Sequence, residues 1–588
     1  MLGLGPLGFR ITSWLHRRDV TAWYDPRYRL PFSSIEASVG MEPRRADFCA
    51  WWLRECGAFP EKAFRRPHRI SFENLARVHT PELLESLGRP EALARVFSVD
   101  PSDVPVDEAM NTIRLACGGT LGAARESLRT RAPALNLLGG FHHAAPGVAG
   151  GFCPVNDIAV AIATLRAEGF RERVAVLDLD AHPPDGLAAC LSSDPQVWIG
   201  SLSGSDWEAL GGVDETVLPE GAGDEDYLEA LGALLARMPR PRLAFVIAGG
   251  DVLAGDRFGK LGLSLEGTRD RDLLVAAELE WVPSVWLPGG GYSDDAWRAL
   301  AGTGMAVSSG SRRPIPPDYD PLSARFAVVS AGLSPAELTE SGDISTEELE
   351  EALGIRPARR RLLLGFYTAS GIEHALFRYG VFDQLERLGY RQLRAAFDTA
   401  GLGERVRLFG QAEGQEHLLV ELILERRRVM GVEVLYVHWL SLRNPRAQFS
   451  DRRPRLPGQE APGLGLARET GTMLARMAIR LGLGGVVYRP AHYHTAYPAR
   501  HEFQFVDPER QGRFEALVRD LGHVPLLEAT QAIDEGRVLM DGAPYAWEAD
   551  EMAYWLRESP ADAGEVERER ERVKFTLVPA PPPPPPSP

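Results

Sequence analysis

One stretch constrains this 588-residue chain more than any other: residues 174–186, Val-Ala-Val-Leu-Asp-Leu-Asp-Ala-His-Pro-Pro-Asp-Gly. Its first half is a short β-branched apolar run, the mark of a strand buried on both faces of a parallel sheet. Its second half is ionisable and closes on two prolines and a glycine. The strand therefore delivers acids and a histidine to its carboxyl end, where open α/β sheets collect their sites. In extended backbone alternate side chains point the same way, so Asp178, Asp180 and His182, spaced by two, share one face. Two hard carboxylates and an imidazole form a donor set that suits Zn²⁺. The same run also reads as a strand followed by a polar turn whose acids are caps, and the rest of the chain must decide between the two.

Residues 137–144 read Leu-Leu-Gly-Gly-Phe-His-His-Ala, and residues 150–157 read Gly-Gly-Phe-Cys-Pro-Val-Asn-Asp. The glycines beside His142 and His143 let backbone and ligand approach closely. Adjacent histidines in a loop serve better as a base and an acid than as two ligands of one ion. Imidazole titrates near neutral pH, and a carboxylate on one ring nitrogen fixes its tautomer; Asp178 and Asp185 are available for that. Residues 243–251 repeat the first pattern, an apolar strand ending in glycines and an acid, which makes Asp251 a candidate third ligand. Asp256, in the loop that follows, reads equally as a cap. A last strand over residues 284–292 ends in three glycines and Tyr292, a phenol on flexible backbone that can be set against a substrate.

Together these stretches resemble the histone deacetylase family and its bacterial acetylpolyamine amidohydrolase relatives, over about residues 24–302. The resemblance implies an α/β fold of the arginase/deacetylase type, a parallel sheet flanked by helices. It implies Asp180, His182 and Asp251 as ligands of Zn²⁺, with Fe²⁺ accepted by the same donors. It implies His142 and His143 as tandem catalytic histidines, Asp178 and Asp185 as their acids, and Tyr292 as the group that polarises the acyl carbonyl. Gly151 and Phe152 match one wall of an acyl-lysine tunnel, and Asp103 matches a rim aspartate that holds the substrate backbone. Asp178, Asp180, His182 and Ser201 match a structural potassium site. The activity implied is hydrolysis of an acylated lysine or polyamine-type amine by metal-activated water. Two departures stand against this. The chain has His182-Pro183-Pro184-Asp185-Gly186 where the family has His-His-Gly-Asp-Gly, and two locked φ angles put the reach of Asp185 toward His143 in question. The loop after Ser201 is short, with Trp207 the candidate for the opposite tunnel wall. A binding protein that kept the fold and lost turnover through the two prolines is the rival reading.

At about 100–200 residues per domain the chain holds two or more. The expected division is a catalytic domain over 1–310, a polar linker over 311–358 with a short helix at 346–353, a second α/β domain over 359–560, and a charged, proline-rich tail over 561–588. In the second domain Pro-Gly-Gln-Glu-Ala-Pro-Gly-Leu-Gly-Leu-Ala, residues 457–467, precedes a helix and a strand, an arrangement that cradles anions. It is similar to the core of GNAT-type N-acetyltransferases, which implies acetyl-CoA at Gly463 and Gly465 and a fused deacetylase and acetyltransferase. Glu460 stands where that family has Gln or Arg, so a degenerate or unrelated α/β domain is an equal reading. His492 and His494 share one side of an expected strand, and glycines 118 and 119 interrupt helical spacing over 108–128. A net charge of −16 argues against broad nucleic-acid binding. The odd set of five cysteines, with no 18-residue apolar run, points to a reduced, cytoplasmic protein away from membranes.

Overall fold

The apolar runs expected as buried strands lie at the centre of one parallel sheet. The computed structural model describes residues 20–204, 209–339, 362–450, 453–557 and 562–579. The chain divides into two compact units, residues 1–324 and 325–588. The described residues of the first form eight strands: β1 (Thr21–Trp23), β2 (Phe64–Arg65), β3 (Ala134–Asn136), β4 (Val174–Asp178), β5 (Val197–Ser203), β6 (Val213–Val217), β7 (Leu243–Ile247) and β8 (Ser284–Leu287). They pair in the order β2-β1-β3-β8-β7-β4-β5-β6, every pairing parallel. Every residue of β4, β7 and β8 is buried, which is why these strands read as continuous apolar runs and not as alternating ones. The helices Val106–Thr130 and Asp157–Ala167 pack on one another, as do Leu265–Glu278 and Ala296–Ser309. This is the expected α/β class, a parallel sheet flanked by helices.

The glycine pair does not interrupt the Val106–Thr130 helix. Its glycines are sites of close approach: a Cβ on Gly118 would lie 1.6 Å from the carbonyl oxygen of His68, and one on Gly119 would lie 2.2 Å from the Tyr28 hydroxyl.

Because β3, β8, β7 and β4 are successive neighbours running the same way, the segments leaving their carboxyl ends converge. Those segments are the ones that carry the ionisable residues picked out above.

In the second unit β9 (Arg391–Ala400), β10 (Gly403–Ala412), β11 (Gln415–Val429) and β12 (Val432–Leu442) form an antiparallel meander. The helix Ala467–Arg480 then crosses to β13 (Gly485–Tyr488), which is parallel to β12. With β14 (Gln504–Phe505), the strands β15 (Val538–Met540), β16 (Ala543–Pro544), β17 (Met552–Trp555) and β18 (Phe575–Leu577) complete the unit. The large sheet has the order β14-β17-β13-β12-β11-β10-β9 and a small one the order β16-β15-β18.

Several expectations look different here. Within the segment expected as a linker, residues 321–332 and 335–339 are helical. The charged run expected as tail forms the helix Ala563–Arg572 on the Pro508–Leu521 helix and leads into β18. The reason is that Glu569 takes both Arg513 and Arg572, while Val573 and Phe575 are buried. His492 is not in a strand but caps the short helix Tyr493–Ala496, with the His494 ring stacked 5.3 Å from its own. Trp207, the helix at 346–353 and the prolines at 581–586 lie outside the described residues. Among the described residues no helix is long and apolar enough to cross a membrane, and all five cysteines are free thiols.

Candidate active site

Asp178 is the last residue of β4, and its Oδ2 lies 2.8 Å from Nδ1 of His142. Past Asp178 the strand pairing ends and the chain bends, so the argument from alternate sides stops there. Asp180 and His182 instead meet Asp251, four residues beyond the end of β7. Ligand atoms of Asp180, His182 and Asp251 all lie within 4.8 Å of one another. The His182 Nδ1 is 3.2 Å from Asp180 Oδ1 and 3.0 Å from Asp251 Oδ2. Backbone donors hold both carboxylates: Gly290 N–H to Asp180 Oδ2 at 2.7 Å, and Ala181 N–H to Asp251 Oδ1 at 3.1 Å.

The histidine pair is fixed from three directions. His143 Nδ1 lies 2.6 Å from Asp185 Oδ1, so the two prolines do not prevent that contact. Pro184 caps the helix Asp185–Leu191, which sets Asp185 in the first turn facing His143. The two imidazoles lie 4.0 Å apart between centroids. Behind them, buried Asp157 accepts hydrogen bonds from the Gly140 and Phe141 amides and the Thr120 hydroxyl, pinning the backbone just before His142. Gly151 completes the seat, since a Cβ there would lie 2.4 Å from His143 Cδ2.

Electrostatics divides the pair. Burial alone would lower the His142 imidazole, but the charges of Asp178 and Asp180 and the Asp178 hydrogen bond outweigh it and push His142 up to about 9. His143 is lowered, by burial and then by the charge of His142, against its contact with Asp185. Two neighbours of one residue type are thus pushed apart, the pattern by which sites assign an acid and a base. Burial also pushes the Tyr292 phenol well up, with the charges of Asp180 and Asp251 adding to it, so Tyr292 is a neutral donor. Asp251 is raised by burial and by the charge of Asp180. Two buried carboxylates in mutual repulsion with an imidazole between them form a donor set that a divalent cation relieves.

Three further side chains, Phe258, Asp256 and Arg45, surround Tyr292 and its turn. Phe258 lies 5.7 Å from Phe152 and 4.9 Å from Tyr292 between ring centroids, and Phe152 lies 5.1 Å from Tyr292, so three rings form one aromatic cluster. An aromatic in an irregular loop has no periodicity by which to find it. Asp256 is a cap: it accepts from the Tyr292 amide at 2.7 Å and from the amides of Phe258 and Gly259. Buried Arg45 donates to the carbonyls of Gly289 and Gly291 and stiffens the turn that presents Tyr292.

Asp103 is 3% exposed, and its carboxylate accepts from the Ser33 hydroxyl and from both the amide and the hydroxyl of Ser34, which fastens that segment of the chain. Ser201 stands opposite Asp178 in the β4–β5 register, fully buried, and its hydroxyl has no hydrogen-bond partner among the described residues. In the second unit Gly463 and Gly465 stand in the turn before the Ala467–Arg480 helix, Gly465 with φ of 69°. Glu460 pairs with Arg443 at 2.8 Å.

Residues 40–307 match the family model of the histone deacetylase domain. The chain is 31% identical over 300 residues to histone deacetylase 2 of Arabidopsis thaliana, an alignment covering 48% of this chain and 77% of that protein. It is 31% identical over 255 residues to the histone deacetylase clr6 of Schizosaccharomyces pombe, covering 39% of this chain and 62% of that one. A crystal structure of a histone deacetylase homolog from Aquifex aeolicus aligns with 51% of this chain and 86% of its own, at 24% identity and a TM-score of 0.40.

Proposed function

The chain belongs to the histone deacetylase family, and from that premise we propose that its first unit is a metal-dependent deacylase that hydrolyses the N-acyl amide of a lysine or a polyamine-type amine. The observation that carries the reading is the meeting of Asp180, His182 and Asp251 beside two histidines that each hold a separate carboxylate. Asp180, His182 and Asp251 would hold a Zn²⁺ ion, or Fe²⁺ on the same donors. Such an ion supplies Lewis acidity and lowers the pKa of bound water.

The chain's own groups do the rest. Asp185 holds the Nδ1 of His143, which leaves Nε2 to take the proton of the attacking water. His142, charged against Asp178, is the neighbouring acid that protonates the leaving amine. Tyr292 donates to the oxygen on which negative charge develops, an interaction worth about 3 kcal/mol. Phe152 and Phe258 form the apolar lining that an alkyl stem would touch. The unpartnered hydroxyl of Ser201, opposite Asp178, supports a structural K⁺ held with Asp178, Asp180 and His182.

The test is a panel of acetyl-lysine peptide, acetylated polyamine and longer-chain acyl-lysine, given to metal-reconstituted protein. Hydrolysis of one class names the substrate. Stoichiometric metal with no hydrolysis of any would favour the rival, a binding protein that kept the fold.

One observation favours a second activity. The parallel β12–β13 pair is joined through a glycine turn and a helix N-terminus, the order that supports acetyl-CoA binding at Gly463 and Gly465. Titration of the full chain with acetyl-CoA tests it, and no measurable binding would end it.

A further inference from the structure

Arg271, on the helix Leu265–Glu278, is fully buried. Its Nε pairs with Asp272 Oδ1 at 2.9 Å, and Asp272 Oδ2 accepts from the Thr303 hydroxyl at 2.6 Å. Asp272 and Thr303 are buried as well. A buried ion pair of this kind adds little to stability, because the cost of taking two charges out of water offsets their attraction, and apolar side chains of similar volume would hold the fold as well or better. The guanidinium does something that an apolar side chain could not, through its remaining donors.

Arg271 Nη1 donates to the carbonyl of Gly249 at 2.7 Å. Gly249 is wedged between two of the acids assigned to the metal: a Cβ there would lie 2.7 Å from Asp251 Oδ1, 2.9 Å from Asp180 Oδ2 and 2.8 Å from Asp180 Cα. On either side of it the amides of Ala248 and Gly250 donate to the carbonyls of Leu287 and Gly290. This backbone is therefore fastened to the β8 segment by its amides and to Arg271 by its carbonyl. Arg271 also stands against the Tyr227 phenol, whose hydroxyl donates at 3.5 Å to the Leu179 carbonyl, in the peptide that leads into Asp180. One buried cluster thus reaches the backbone beside both acids, from helices that contribute no residue to the site itself.

We propose that Arg271 is a positioning residue for the metal centre: held by Asp272, it fixes the Gly249 carbonyl and with it the spacing of Asp180 and Asp251. The proposal rests on the reading of those acids as metal ligands, and it concerns how tightly they bind. Outer partners of metal ligands are worth about 10- to 100-fold in metal affinity. Arg271 acts through the backbone of Gly249, so the lower end, about tenfold, is expected.

The test measures the Zn²⁺ affinity of the full chain by competition with a chelator, and the visible spectrum of its Co²⁺ form, at a temperature where each variant is folded. Arg271→Lys keeps a cation for Asp272 but has no planar fork to serve Asp272 and Gly249 together. Arg271→Met combined with Asp272→Asn removes both charges, so neither is left buried alone. Each should weaken Zn²⁺ by about tenfold and shift the Co²⁺ bands. Leu165→Ala, which truncates a buried leucine of the Asp157–Ala167 helix, is the control for lost stability: it should lower Tm and leave affinity and bands unchanged. Wild-type affinity in either Arg271 variant, or an equal loss of affinity in Leu165→Ala, would overturn the proposal. A wild-type chain that takes up no metal would overturn the metal centre, and the positioning role with it. Should the double variant fail to fold, Arg271→Lys decides alone.

Discussion

Gly151→Ala asks how tightly the loop at 150–152 seats His143. Gly151 holds φ at 55°, and a methyl there would lie 2.4 Å from His143 Cδ2 and 2.8 Å from Cγ. Carbon atoms pack at about 3.5–4.0 Å, so the imidazole must give way by roughly 1 Å. It has little freedom to do so, since its Nδ1 is tied to Asp185 at 2.6 Å and its other side meets His142. A displacement of that size costs on the order of 10²-fold in rate. The left-handed backbone adds about 1–2 kcal/mol against alanine. The expected variant is folded, binds metal as the wild type does, loses about 1–2 kcal/mol by urea unfolding, and falls about a hundredfold in kcat. The assay is steady-state hydrolysis of the substrate the panel identifies, with metal content and unfolding measured on the same preparation. Retention of a third or more of kcat would refute the claim that this glycine seats His143.

Tyr292→Phe should keep its metal and lose about 10²- to 10³-fold in kcat, read by turnover and metal analysis together; full turnover would remove Tyr292 from the mechanism. Asp157→Ala strands the Gly140 and Phe141 amides in the interior, while the Thr120 hydroxyl keeps the Ala116 carbonyl. Unfolding should show a loss of about 3 kcal/mol or more, and a loss below about 1 kcal/mol would mean that water or a shifted backbone replaces the carboxylate. His494 in the second unit is lowered from 6.5 to about 4, by burial and then by the charge of His492. The unfolded chain therefore takes up its proton first. Stability is whole above about 6.5 and drains away as pH falls toward about 4. His494→Gln should flatten that limb of an unfolding-versus-pH series, and an unaltered slope would contradict the assignment.

The parts of the fold and site that could be read from sequence share one physical property. A strand buried on both faces must be apolar along its whole length, so β4, β7 and β8 stand out, and each is followed by the acid or phenol that it delivers. The geometry of an extended chain would have Asp178 share a face with Asp180 and His182, but strand pairing ends at Asp178 and the chain bends beyond it, so Asp178 meets His142 while Asp180 and His182 meet Asp251. The reach of Asp185 depended on how Pro184 enters a helix, which spacing does not encode. Asp103 and Asp157 act through partners distant in the chain, Ser33 and Ser34 for one and Thr120 for the other. Phe258 gains its role only when the loop beyond β7 folds over Tyr292. The helix at 563–572 looked like a solvated charge run because the residues that anchor it, Val573 and Phe575, follow the charges.

The central claim, that Asp180, His182 and Asp251 form the metal centre of a hydrolase, is tested most directly by titrating metal-free protein with Zn²⁺ while following both binding and hydrolysis. The account predicts that turnover rises in step with occupancy to one ion per chain, and that Asp180→Ala loses both together. Hydrolysis that persists in Asp180→Ala, or in protein stripped of metal, would contradict it.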